Sequence, residues 1–377
     1  MRVRWLVSGS VLMTTLIAGL VVSELAAGQS NGLDAETFQT PWGDPDLQGI
    51  WANNVSTPLQ RPSRFVGKAE LTEEELSAYT VERQQLREDR DRRDNAEGAV
   101  TDVGRAYNAY WFPVPGAAIS RTSLIVDPPN GRIPAFTPEA LERFSAWAAT
   151  KGRTGSAASP QRTPTGSQSS PEGIQDGTEG GVDGRGQRAD HPEDRRLSER
   201  CLFWGTGLPR LPGGYNNHFQ IVQSPGYVVV NIEMVHDARI IPLDERPHRP
   251  SQVSQWVGDS RGHWEGNTLV VDTTNFSNKT HFFGSFGGRH VVERFTRVDA
   301  DTINYEFTVE DPTTWTQPWS VAYPLRSLQS HVGGVDGITD AQVYEYACHE
   351  GNYGLTGQLA GSRAVEKASA QATREQE

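Results

Sequence analysis

Along the second half of the chain, apolar residues recur at every second position. In "DTINYEFTVED", Ile303, Tyr305, Phe307 and Val309 fall on one side of an extended chain, and Asn304, Glu306 and Thr308 fall on the other. "HFQIVQSPGYVVVNIEMVHDARIIPLD" carries two Val- and Ile-rich runs around a Ser-Pro-Gly turn. "GHWEGNTLVVDTTNF" has a central Gly-Asn, and "VVERFTRVDADTINYEFTVED" turns at Asp-Ala-Asp. "WSVAYPLRS" and "VYEYACHEG" predict two further strands. Successive strands joined by short turns predict an antiparallel meander, and curling it into a barrel removes its exposed edges. The expected fold class is mostly β: an antiparallel barrel or curved meander sheet over residues 197–363.

The first half reads differently. In "LTEEELSAYTVERQQLREDRDRRD", Thr72 is a suitable N-cap, Glu75 completes a capping box, and Leu76, Tyr79 and Leu86 form a thin apolar stripe. A second helix starts at Pro138 behind the cap Thr137 and stops at Gly152. Between them, "RTSLIVDPPNGRIPAFT" predicts a strand, a Pro-Pro-Asn-Gly turn and a second extended piece. Residues 33–152 are therefore expected to supply a strand and two helices that pack on the barrel. Residues 153–195 have almost no large apolar side chains, so the ordering entropy is not offset, and a flexible insertion is expected there. The polar, Ala-rich tail 364–377 predicts a frayed helix at most.

The opening "MRVRWLVSGSVLMTTLIAGLVVSELAAGQS" places Arg2 and Arg4 before an apolar run, Val11 to Val22, and then Ala26, Ala27 and Gly28. This order predicts a signal peptide, 1–28, cleaved after Gly28. The run is shorter than the roughly 20 residues a membrane span needs. Export to the periplasm or the extracellular space is expected, with no stable membrane insertion after cleavage. The 35 Lys and Arg residues against 47 Asp and Glu give a net charge of −12, which argues against a nucleic-acid partner. The only two cysteines are Cys201 and Cys348. In an oxidising compartment two cysteines usually pair, and a loop of this length contributes ~4–5 kcal/mol in the chain-entropy treatment. The competing reading, a zinc site, lacks the short Cys-x-x-Cys spacing, so a disulfide is favoured and neither metal nor cofactor is expected.

Three stretches are candidates for chemistry. If "NIEMVHDARIIPLD" continues one strand, Val228, Val230, Ile232, Met234, His236, Ala238 and Ile240 share a face. His236 is then either a hydrogen-bonded core histidine or a general acid or base. Glu233, Asp237 and Arg239 lie opposite, where Asp237 and Arg239 form a surface pair or hold a ligand. In "GGYNNHFQIVQ", Tyr215, Asn216, Asn217 and His218 follow a Gly-Gly pair and form either a turn or a ligand site at the barrel mouth. In "VYEYACHEGNYG" strand alternation puts His349 with Val343, Glu345 and Ala347, and Glu350 on the other face. "His-Glu-Gly-Asn" also differs from the helical His-Glu-x-x-His zinc motif. Trp256 and Trp264 could stack a sugar or fill the core, and Asp259, Arg261 and His263 could reach a mouth. No phosphate-binding Gly-Lys-Ser/Thr loop is present.

"LQGIW" resembles the Gly-x-Trp signature of lipocalins, which implies a lipocalin-like barrel. Together with "DPDLQGIW", "RTSLIVDPPNGRIP", "GYNNHFQIVQSPGYVVV", "HDARIIPLD", "VGDSRGHWEGNTLVVDTTNF" and "YEYACHEGNYG", the chain resembles a large group of exported, mostly uncharacterised bacterial β-rich proteins. That resemblance implies export, one unit from end to end, and a role for both cysteines. Two functions are expected from these residues. The first is an enzyme of lyase or dehydratase type on a small polar or saccharide ligand, with His236 as acid or base and Tyr215 or His349 as its partner. Asn216, Asn217, His218, Asp237, Arg239 and Glu350 would then contact substrate. The second is a non-catalytic, lipocalin-like ligand carrier.

Overall fold

The computed structural model describes residues 38–94, 118–151, 191–195, 197–203, 208–212, 218–328, 342–350 and 352–374. The expected signal peptide, most of the 153–195 insertion and Tyr215, Asn216 and Asn217 lie outside the described residues; residues 192–194 form a 3-10 turn.

Among the described residues, ten strands follow in chain order: β1 (Gly49–Ala52), β2 (Ile125–Asp127), β3 (His218–Ser224), β4 (Tyr227–Ile232), β5 (Asp237–Pro242), β6 (Asp259–Glu265), β7 (Thr268–Thr274), β8 (His290–Asp299), β9 (Thr302–Glu310) and β10 (Trp319–Ser327). The hairpin turns fall where the sequence predicts them. Ser224 pairs with Tyr227 around Pro225-Gly226, where Gly226 takes φ +80°, and Glu265 pairs with Thr268 around Gly266-Asn267. On β9, Ile303, Tyr305, Phe307 and Val309 are all buried while Asn304, Glu306 and Thr308 are half-buried, so the two-residue period does decide the inward face.

The hydrogen-bonded order is β5-β4-β3-β1-β10-β9-β8-β7-β6, with β2 on the half of β10 that β1 leaves free. The result is a nearly closed nine-stranded antiparallel barrel. The N-terminal part is integral to it, because β1 is inserted between β3 and β10. Nine alternating strands bring β5 and β6 to the seam running the same way. There they meet through side chains rather than a ladder: a Cβ on Gly262 would lie 2.8 Å from Ile241 Cγ2 and 2.7 Å from Leu243 Cδ2.

Large rings fill the barrel. Phe295 and Tyr305 stand 4.8 Å apart, Tyr305 and Tyr323 5.2 Å, and Trp51, Phe219, Phe307 and Trp319 complete the same buried cluster. Each such ring pair adds about 0.5–1.5 kcal/mol to the burial itself. Trp51, the tryptophan of "LQGIW", donates its indole N–H to Leu47 O at 3.0 Å, and the Arg297 guanidinium lies over its ring.

Helix α1 (Glu73–Asp94) opens on the expected capping box. Thr72 N–H donates to Glu75 Oε2 at 2.8 Å and Glu75 N–H to Thr72 Oγ1 at 3.3 Å. Helix α2 (Pro138–Lys151) is capped by Thr137 Oγ1, which accepts Ala140 N–H, and it buries Ala140 and Phe144 against the barrel core. Beyond residue 352 the chain forms helix α3 (Tyr353–Arg374), with no buried residue.

Two expectations are corrected. Residues 342–348 form no strand, because β10 is already paired on both sides and leaves no edge for them. The run Val228–Ile240 is not one strand. The chain reverses at residues 233–236 and Ile232 pairs with Asp237.

Candidate functional site

The β4–β5 reversal organises the site. Val235 and His236 hold φ +60° and +46° in succession, left-handed values that residues other than glycine, Asn and Asp rarely adopt. The reversal inverts the strand phase. Arg239 and Ile241 now point inward, while His236 is exposed and Ile240 is 64% exposed. His236 is thus neither a core histidine nor part of an apolar face. Asp237 and Arg239 do not form a surface pair: Arg239 is buried and binds Glu293 on β8 through both guanidinium ends, at 3.2 Å for Nη2 to Oε1. Tyr305 Oη donates to the same oxygen at 2.7 Å. Burial first, then the neighbouring Glu293 carboxylate, pushes the Tyr305 phenol far above its ordinary range.

The reversal also buries Glu233. Its carboxylate is 2% exposed, and its Oε2 lies 2.9 Å from Nδ1 of His218, the first residue of β3. Glu233 N–H donates to His218 O at 3.0 Å, and Tyr344 N–H donates to Glu233 Oε1 at 3.4 Å. Burial by itself would raise this carboxyl; the contacts with His218, aided by the Tyr344 N–H, outweigh it and hold the group below its usual range. The His218–Glu233 approach does not meet hydrogen-bond geometry, so the carboxylate favours a proton on Nδ1 through its charge rather than through a hydrogen bond. The His218 side chain is 16% exposed, so it reaches the rim without leaving the protein.

Asp237 stands at the same end of the barrel. Burial pushes its carboxyl up to about 6, against the opposing fields of Arg210 and His236. Arg210 belongs to residues 208–212, which cross this end. Their carbonyls accept from Tyr323 Oη at 2.8 Å, Asn53 Nδ2 at 3.1 Å and Arg289 Nε at 3.2 Å. Phe219, Ile232 and Asp237 are laterally paired and share one side of the sheet, with β3 and β5 two ladder spacings apart, ~10 Å; strand alternation sets His218 on the other side, at the strand end.

Of the expected site residues, the fold brings His218, Asp237 and Arg239 to this region. His349 and Glu350 are exposed beside Cys348, in a segment without strand alternation to aim them. Cys201 and Cys348 form the expected disulfide. Among the other candidates, Trp256 stacks on Phe203 with the Lys279 ammonium over its face, and Trp264 packs against the core. Asp259 is buried, accepting from Arg249 N–H at 2.8 Å and Arg261 Nη1 at 2.9 Å, so it pins a loop. His263 pairs with Glu265 on the outer face. Among the described residues, no group of three or more His, Cys, Asp or Glu side chains is arranged to hold a metal ion.

Glu233, Glu293 and Tyr305 were missed as site residues. Glu293 had a signal: in "VVERF" it shares its strand parity with Val291 and Phe295, an acid on an otherwise apolar face. Glu233 had one as well: counted back from the Pro225-Gly226 turn, it stands directly opposite His218. No protein-family model, curated protein or solved structure matches the chain.

Proposed function

We propose that the protein is an exported acid–base enzyme acting on a small polar ligand of saccharide type at the β4–β5 end of the barrel. The observation that carries this reading is the buried Glu233 carboxylate 2.9 Å from His218 Nδ1. A base oriented by a second group is the arrangement proton abstraction requires. His218 Nε2 takes the proton and Glu233 stabilises the imidazolium that results. Asp237, with its carboxyl near 6, holds a proton under weakly acidic conditions and serves a leaving hydroxyl at the rim, past the strand end that separates it from His218. One base and one acid suit a lyase or dehydratase, in which a proton is taken beside a carbonyl and water leaves. The cystine supports an oxidising compartment. The ring-filled lumen gives little support to a carrier, which needs an open apolar cup.

The test is incubation of the protein from residue 29 onward with a panel of saccharides and uronates, read by mass spectrometry. A product 18 Da lighter, abolished in His218→Gln and reduced in Glu233→Gln, is expected. Turnover that survives His218→Gln unchanged overturns the assignment.

A further inference from the structure

Residues 342–350 cross the candidate site without any ladder to hold them. Their fastenings can be named. Tyr344 N–H reaches the buried Glu233 carboxylate at 3.4 Å, and Tyr346 packs against the barrel core. Cys348 is bonded to Cys201, and just beyond the segment Asn352 Nδ2 donates to Glu199 O at 2.9 Å and touches Cys201 Sγ at 3.3 Å. The covalent tie thus stands four residues from Tyr344, whose N–H is, among the described residues, the one outside the His218–Glu233 pair that binds Glu233. Cys201 is 3% exposed and Cys348 is half-buried, so a reductant approaches the bond from the side of Cys348.

Building on the assignment of the His218–Glu233 pair, we propose that the Cys201–Cys348 disulfide is a redox-addressed latch, which holds residues 342–350 over Glu233 and thereby keeps His218 oriented. Opening it takes a dithiol reductant. One thiolate attacks Cys348 Sγ, the Cys348–Cys201 bond breaks, and Cys201 leaves as the thiolate. The reductant's second thiol then displaces Cys348 and closes the reductant's own disulfide. Two electrons and two protons pass to the protein, which ends with two thiols. With the segment released, Glu233 loses its N–H partner and its cover, so water competes for the carboxylate and the preference for the Nδ1–H tautomer of His218 weakens.

The experiment compares oxidised protein, protein treated with dithiothreitol, and the double variant Cys201→Ser/Cys348→Ser. Hydrogen–deuterium exchange reads the segment and the strands, and nitrogen-detected NMR reads the His218 tautomer. Exchange over residues 342–350 should accelerate at least tenfold in the reduced protein and in the double variant, with β3 and β4 still protected. His218 should change from one tautomer to a mixture. Unchanged exchange in the segment overturns the latch. Equal loss of protection in β3 and β4 also overturns it, because the bond is then a general staple. An unchanged tautomer in a released segment overturns its link to His218. If exchange and tautomer respond as expected while His218→Gln retains full turnover, the latch stands and the catalytic assignment falls.

Discussion

Arg239 on β5 and Glu293 on β8 meet inside the barrel, behind the seam where β5 and β6 share no ladder. The pair therefore ties the first strand of the hydrogen-bonded order to its far side through the interior. Desolvating two charges costs several kcal/mol each, and the attraction offsets this only when the remaining polar atoms are also bonded. Tyr305 Oη supplies one such bond to Glu293.

Breaking one half should consequently cost more than replacing both. Glu293→Gln leaves a buried guanidinium without its counter-charge and should lower stability by about 3–5 kcal/mol. The combined Arg239→Met/Glu293→Leu exchange should cost clearly less than the sum of the two single changes, in urea unfolding with β-structure followed by circular dichroism. Additive losses would mean that the two side chains are not coupled.

His236 presents the opposite situation, an exposed side chain on an unfavourable backbone. Left-handed φ costs an L residue ~1–2 kcal/mol, whereas glycine adopts it freely and loses some of that gain to its greater unfolded-state entropy. His236→Gly should therefore stabilise the fold by ~0.5–1 kcal/mol, measured by thermal unfolding, and leave any turnover within about twofold. A loss of turnover near the 10²–10⁴-fold of general acid–base catalysis would return His236 to the site.

That residue also shows where sequence reading stops. The barrel was legible because Ile303, Tyr305, Phe307 and Val309 follow a two-residue period that a sheet must obey, and because Pro225-Gly226 and Gly266-Asn267 mark their turns locally. The β4–β5 reversal carries no Gly or Pro: "EMVH" reads as uninterrupted strand. One missed reversal inverted the phase, so Arg239 was placed outside and His236 inside. The Glu233–His218 contact was within reach of the sequence, because the register that the Pro225-Gly226 turn sets for β3 and β4 continues from Phe219–Ile232 to His218 and Glu233. "VYEYACHEG" failed for another reason. Its alternation suits a strand, yet the sheet has no edge left beside β10, and pairing is a property of the whole sheet.

Gly262 tests the seam. Its missing Cβ would lie 2.7–2.8 Å from side-chain carbons of Leu243 and Ile241, closer than such atoms approach one another. Gly262→Ala should push β5 away from β6 and cost about 1–3 kcal/mol, as overpacking does in a filled core. Exchange of the β5 amides should rise with it. A neutral or stabilising effect would show that the seam has room to spare.

Asp237 should make stability depend on pH in a defined direction. Its carboxyl is held near 6 in the folded chain by burial, against an ordinary value of 3.8. Between those values the native protein keeps a proton that the unfolded chain has released. The stabilisation is fully present below about pH 3.8 and is lost as pH rises through 6. The gap corresponds to at most ~3 kcal/mol, so ~1–3 kcal/mol is expected. Asp237→Asn removes the titration. Relative to the native protein, the variant should therefore gain ~1–3 kcal/mol between pH 4 and pH 7, followed by denaturant unfolding at several pH values. A flat difference across that window would mean that Asp237 is solvated, and would remove it as the proton donor.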